Sequence, residues 1–346
     1  MSSSETTNSD THPRERRFLF LTIPRSASNL AVRILNIEEQ PDVALPAWHG
    51  GYYFLPANLK VLELKLREKS VASWPEDKKK EMVEAYELGL KNMNQYASDA
   101  AAAGKIAFIK EHAALCFSPS QARAKIFDED IGPSIWDLKL PSDAFPKQTK
   151  SKLNMTLLPD EFLETFLPTF LIRHPGLVVP SLYRKMLSGE EFFGTYIIPE
   201  LRIAAAFSWP RAMYEYYANS LKGTRYEANW PVVLDADDII KDPSLVKQYA
   251  EMIGIDPAKL KFEWDSVQRA DFEVMENTEK LMFDTLLQSR GIRKDKLSEG
   301  FDLDVEAGKW KVEFGEEIAK VIEDVVRGSM LDYEFLKSKR MESKAL

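Results

Sequence analysis

The chain is 346 residues long, 45% hydrophobic and 29% charged, so it can bury a large core as an ordinary globular protein. With 46 Lys and Arg against 54 Asp and Glu, its net charge of −8 argues against broad binding to nucleic acid or an anionic membrane, though not against one local basic pocket. Its single cysteine, Cys116, excludes a disulfide-built scaffold, and no apolar run approaches the ~20 residues of a membrane-spanning helix.

Residues 1–16 are rich in Ser, Thr and charge, lack the apolar segment of a signal peptide, and read as a disordered tail. A cytoplasmic protein is expected. The stretch that organises the chain follows. Phe18 to Ile23 is a continuous apolar run, suited to a strand buried on both faces. Pro24 stops the ladder, and Arg25, Ser26, Ala27, Ser28 and Asn29 form a loop of small polar residues with one fixed cation. Ser28 or Asn29 can cap the helical pattern of Leu30, Ile34 and Leu35. Free N–H groups, a helix dipole, hydroxyls and a guanidinium together suit an anion. On these residues alone, an ordinary strand–helix unit with a polar loop fits equally well. The loop has no Gly and no G-x-x-x-x-G-K-[ST] pattern, which argues against ATP or GTP hydrolysis.

Between Gln40 and Pro56, Trp48, His49, Gly50, Gly51 and Tyr52 make a loop that either covers a pocket, contacting substrate, or tucks onto the core. Asn58 to Ala103 is helical and charged, broken near Ser73-Trp74-Pro75, with Lys78-Lys79-Lys80 as a solvated face. Lys105 to His112 then alternates as a strand whose end places Lys110 and His112 on one face. Residues 117–160 look irregular, with Ile135 and Trp136 packing the segment down.

The strand–turn–helix pattern recurs at Thr169 to Tyr183, where Arg173 and Ser181 could converge on one anion. Residues 184–222 read as helices with Trp209, Met213, Tyr214, Tyr216 and Tyr217 as core. Pro231 to Pro243 is a strand leading into a helix, with Asp235, Asp237 and Asp238 as capping and turn residues rather than metal ligands. The four histidines and Cys116 show no metal-ligand spacing, so no metal is expected.

Four of these elements carry a family resemblance. Pro24-Arg25-Ser26-Ala27-Ser28-Asn29-Leu30 resembles the 5′-phosphosulfate loop of the sulfotransferases, P-[KR]-S-G-[TS]-[TN]-[WLM]. Ala27 stands where Gly is common, which asks for a loop without positive φ there. Lys110-Glu111-His112 resembles the family's K-x-H element; Arg173, Pro175 and Ser181 match its 3′-phosphate motif; Gly308, Trp310 and Phe314 match its G-x-W-x-x-x-F end. Arg290-Gly291 and Arg293-Lys294 loosely resemble its C-terminal basic loop. Pro180, beside Ser181, departs from the pattern and could shift that hydroxyl.

The resemblance implies one α/β domain over residues 17–335, with a mainly parallel sheet flanked by helices in the P-loop-like sulfotransferase fold, and a tail from 336 to 346. It implies 3′-phosphoadenosine 5′-phosphosulfate (PAPS) as co-substrate. Residues 25–30, Arg173, Ser181, Arg290 and Gly291 would bind it, Lys110 and Arg25 would offset charge, and His112 would take a proton from a small-molecule acceptor. A pKa near neutrality would suit that role. Two alternatives stay open: another reaction on a phosphorylated or sulfated compound, or a non-catalytic nucleotide-binding protein.

Overall fold

In the computed structural model, four strands form an all-parallel sheet in the order β2-β1-β3-β4. They are β1 (Arg17–Thr22), β2 (Ala107–His112), β3 (Leu167–Ile172) and β4 (Val232–Asp235), and every residue in them is buried. The structure describes residues 16–46, 51–67, 69–127, 136–142, 144–189, 194–265 and 291–343. Burial on both faces explains why the strands read as apolar runs, and the parallel pairing requires helical crossovers.

The first crossover runs through α1 (Ser28–Leu35), α2 (Leu55–Glu63) and α3 (Glu76–Ala102). Pro75 starts α3 where the sequence places the break, and Lys78, Lys79 and Lys80 pair with Glu81, Glu76 and Glu84 of the same helix. After β2, α4 (Pro119–Phe127) and α5 (Asp160–Leu163) precede β3. Between α4 and α5 the described residues form no helix or strand. Trp136 is wedged edge-on between Trp74 and Tyr86, and its indole N–H donates to Ser120 at 2.8 Å. Ile135 lies outside the described residues.

From β3 the chain enters α6 (Pro175–Ser188), then α7 (Ile197–Ala204) and α8 (Ser208–Ser220). α9 (Ala236–Lys241) and α10 (Pro243–Ile253) follow β4, and α11 (Leu303–Phe314) and α12 (Glu316–Lys337) end the fold. Trp209, Met213, Tyr216 and Tyr217 lie in the main core, as their spacing predicts. A second apolar cluster joins Val179, Leu182 and Tyr183 of α6 to Trp310, Ile322 and Val326 of α11 and α12. That cluster fixes the rotation of α6, and with it the direction of Ser181. The chain stays packed beyond residue 335, where the sequence places a tail: Leu336 is fully buried and Met341 N donates to Val233 O at 2.8 Å.

β1 crosses over to β2 on one side, and its other neighbour, β3, crosses over to β4 on the opposite side. The loops leaving β1 and β3 therefore diverge at the C-terminal edge of the sheet, where ligand crevices form in open parallel sheets.

Candidate active site

The loop after β1 turns tightly: Ser26 N donates to Ile23 O at 3.1 Å, and Ala31 N to Ala27 O opens α1. Both Arg25 (φ 68) and Ala27 (φ 66) are left-handed. The sequence leads us to expect Ala27 to avoid positive φ. The turn demands that conformation regardless of side chain, and alanine tolerates it at roughly 1–2 kcal/mol. Neither Ser28 nor Asn29 caps the helix; Ala27 occupies the cap position with no side-chain hydrogen bond. The two polar side chains turn elsewhere. The Ser28 hydroxyl is hydrogen-bonded to the Tyr52 phenol, and Asn29 Oδ1 accepts from Lys110 Nζ at 2.6 Å. The first turn of α1 thus starts without a side-chain cap, a geometry that suits an anion.

Arg25 Nε donates to Ser181 Oγ at 3.1 Å, which joins the two strand–turn–helix units. Arg173 donates through Nη1 to Arg25 O (3.3 Å) and through Nη2 to Lys296 O (2.8 Å). Among the described residues its Nε is buried without a partner, as is Ser26 Oγ. An orphaned guanidinium N–H is what an oxyanion would satisfy. Pro180 lies inside α6 without ending it, and Ser181 keeps its place against Arg25.

Arg25, Arg173 and Ser181 line one cavity of about 300 Å³, at the low end for a small-ligand site, whereas Ser26 is fully buried behind them. Ala27, Ser28, Asn29 and Leu30 line it, as does Gly291. Five basic side chains converge there in a chain of net charge −8: Arg25, Arg173, Arg184, Arg293 and Lys296. Arg290, Trp48 and His49, named from the sequence, lie outside the described residues. Arg184 and Lys296 are additions. Arg184 follows Ser181 by one helical turn, a spacing that puts both on one face, and Glu313 grips it with two contacts of 2.6 Å. Lys296 carries no motif and arrives by tertiary folding of its segment.

That segment is anchored three times. Arg173 holds Lys296 O, Asp237 Oδ2 accepts from the Ser298 N–H and hydroxyl, and the Phe301 ring rests on His174. Gly176 makes the last contact possible, since a Cβ there would lie 2.0 Å from the Phe301 ring. Asp235 caps α9 through Asp237 N at 2.9 Å and accepts from the Tyr333 hydroxyl at 3.0 Å, so it serves as the capping residue its position predicts.

Beside the cavity, at the end of β2, Lys110 and His112 share a face as the alternation predicts. Lys110 Nζ lies 4.6 Å from the Tyr52 ring centre, and the Tyr52 and His112 rings are 4.6 Å apart. Burial pulls the Lys110 pKa down to about 8, with Glu111 opposing. Burial and the Lys110 charge push His112 down to about 3, so the imidazole is neutral at physiological pH. The ring does not titrate near neutrality as the sequence suggests; it is uncharged throughout that range. Glu111 points to the other face, fully buried, its pKa raised to about 8 by burial. It accepts N–H bonds from Phe54 (3.1 Å), His112 (2.9 Å) and Tyr53, which staples the Tyr52 turn to β2.

No family model matches the chain. Curated relatives do. The sulfotransferase ppzF of Metarhizium rileyi (strain RCEF 4871) is 36% identical over 342 residues, covering 96% of this chain and 98% of its own. The protein of that name from Metarhizium majus (strain ARSEF 297) is 36% identical over 338 residues, covering 94% and 97%. Among solved structures, the sulfotransferase domain of the Synechococcus PCC 7002 olefin synthase aligns over 88% of this chain and 97% of its own, with a TM-score of 0.38 and 13% identity. The sulfotransferase domain from the curacin biosynthetic pathway aligns over 86% and 96%, with a TM-score of 0.34 and 13% identity. The curated relatives align over nearly the whole of this chain and of their own length, and the chain belongs to the sulfotransferase family.

Proposed function

We propose that the protein transfers a sulfuryl group from PAPS to a hydroxyl or amine of a small-molecule acceptor. The observation that carries this reading is the junction of two unlike environments. A cavity lined by five basic side chains meets, through the Lys110–Asn29 contact, a buried neutral histidine. The two Metarhizium relatives, both named sulfotransferases, support the same assignment.

The buried Arg173 Nε suits a phosphorylated ligand, because it lacks an acceptor among the described residues. Arg173 and Ser181 would hold the 3′-phosphate. Arg25 and the first-turn N–H groups of α1 would hold the 5′ end, with Arg293 and Lys296 closing the basic wall. Bound there, PAPS supplies an activated sulfuryl group. Arg25 offsets negative charge growing on the leaving phosphate, and Lys110 offsets charge on the transferring group. His112, neutral before the reaction, takes the acceptor's proton as the new bond to sulfur forms.

Calorimetric titration with 3′-phosphoadenosine 5′-phosphate, against adenosine 5′-phosphate as control, tests the donor site. Tight binding that needs the 3′-phosphate is the expected result. Equal or absent binding of both nucleotides to the folded protein would overturn the PAPS assignment.

A further inference from the structure

Thr22 ends β1 fully buried, directly across from His112 in the parallel register. Its Oγ1 lies 2.8 Å from His112 Nδ1 and 3.2 Å from the main-chain oxygen of Glu111. A hydroxyl has one proton to donate and lone pairs to accept. The carbonyl oxygen can only accept, so making that contact commits the Thr22 proton to Glu111. Nδ1 then completes the second contact only as the donor. The uncharged ring carries one proton for two nitrogens, and these partners place it on Nδ1.

We propose that Thr22 is a positioning residue that holds the His112 imidazole in its Nδ1–H tautomer and leaves Nε2 as the proton acceptor. The proposal rests on the reading of His112 as the base. When Nε2 takes the acceptor's proton, the ring becomes imidazolium with Nδ1–H still donated to Thr22 Oγ1, and the threonine keeps its own proton. β1 thereby orients the base at its last residue and begins the donor loop two residues later.

The tautomer is measurable without an acceptor, by nitrogen-15 NMR of the histidine rings in the full chain, with His112→Gln identifying the signals. Wild type and Thr22→Ser are expected to show a protonated Nδ1 and a bare Nε2. Thr22→Val, similar in size without the hydroxyl, is expected to show mixed or reversed protonation, and Thr22→Ala serves if the valine variant does not fold. A wild-type ring protonated on Nε2 would overturn the proposal, as would hydroxyl-free variants indistinguishable from wild type. In turnover, Thr22→Val should lower kcat by about tenfold or more at unchanged donor KM, part of the ~10²–10⁴ that a positioned base contributes. Thr22→Ser should retain most of the rate. An unimpaired His112→Gln enzyme would remove the base reading while leaving the tautomer result intact, so the two failures are distinguishable.

Discussion

Lys110 Nζ donates to Asn29 Oδ1 at 2.6 Å, tying the end of β2 to the first turn of α1 across 81 residues of sequence. This contact joins the basic cavity to the histidine side of the site. On the proposed reading, the ammonium would offset charge on the transferring group.

Lys110→Met is therefore expected to lower kcat by roughly 10²–10³, the usual effect of removing one charge-stabilising donor. The pH dependence carries a sign. With its pKa drawn down to about 8, Lys110 is charged below that pH and neutral above it. kcat/KM should fall as pH rises through about 8. A profile with no loss above pH 8, for a fully folded enzyme, would remove Lys110 from the chemistry.

Arg173→Ala should weaken binding of 3′-phosphoadenosine 5′-phosphate by about 1.5–3 kcal/mol, roughly 10- to 150-fold, as expected for a lost charged hydrogen bond. Affinity for adenosine 5′-phosphate should change little. Equal losses for both nucleotides by calorimetry would show that Arg173 does not read the 3′ position.

Gly176→Ala tests the anchor of the segment that carries Arg293 and Lys296. The added methyl would meet the Phe301 ring at 2.0 Å, so ring or helix must move, at a cost of about 1–3 kcal/mol for overpacking. Urea unfolding should register that loss, and a second change, Phe301→Ala, should recover part of it. Strictly additive losses in the double variant would show that the two residues do not meet.

Ala27→Gly should stabilise the protein by about 0.5–1 kcal/mol. Relief of the left-handed alanine outweighs the extra freedom that glycine brings to the unfolded chain. A lower midpoint in urea would contradict the positive φ at this position.

His112 also links stability to pH. Its folded pKa of about 3 lies below the ordinary value of 6.5, so the unfolded chain binds a proton that the folded chain refuses. Stability from this group is complete above about 6.5 and declines as pH falls towards 3. The difference between wild type and His112→Gln should show that slope in denaturant titrations at pH 4, 5 and 7.

The candidate site residues were legible where local order is enough to place them. Strand alternation put Lys110 and His112 on one face, and two strand–turn–helix units announced Arg25 and Arg173. Local order misled at Ala27, because the preference of an isolated alanine is small against the geometry of a closed turn. It misled on His112 as well, because burial and a neighbouring ammonium set the charge of the ring.

What the sequence determined by itself were the buried strands and the loops at their ends, and the resemblance of those loops carried the parallel sheet and the family. Strands and loops arise from interactions between near neighbours, so the linear pattern contains them. The tertiary structure alone decided that Thr22 meets His112, that Arg184 and Lys296 join the basic wall, and that Gly176 leaves room for Phe301. Those contacts depend on strand register, helix rotation and side-chain volume, which are settled only when distant segments pack together.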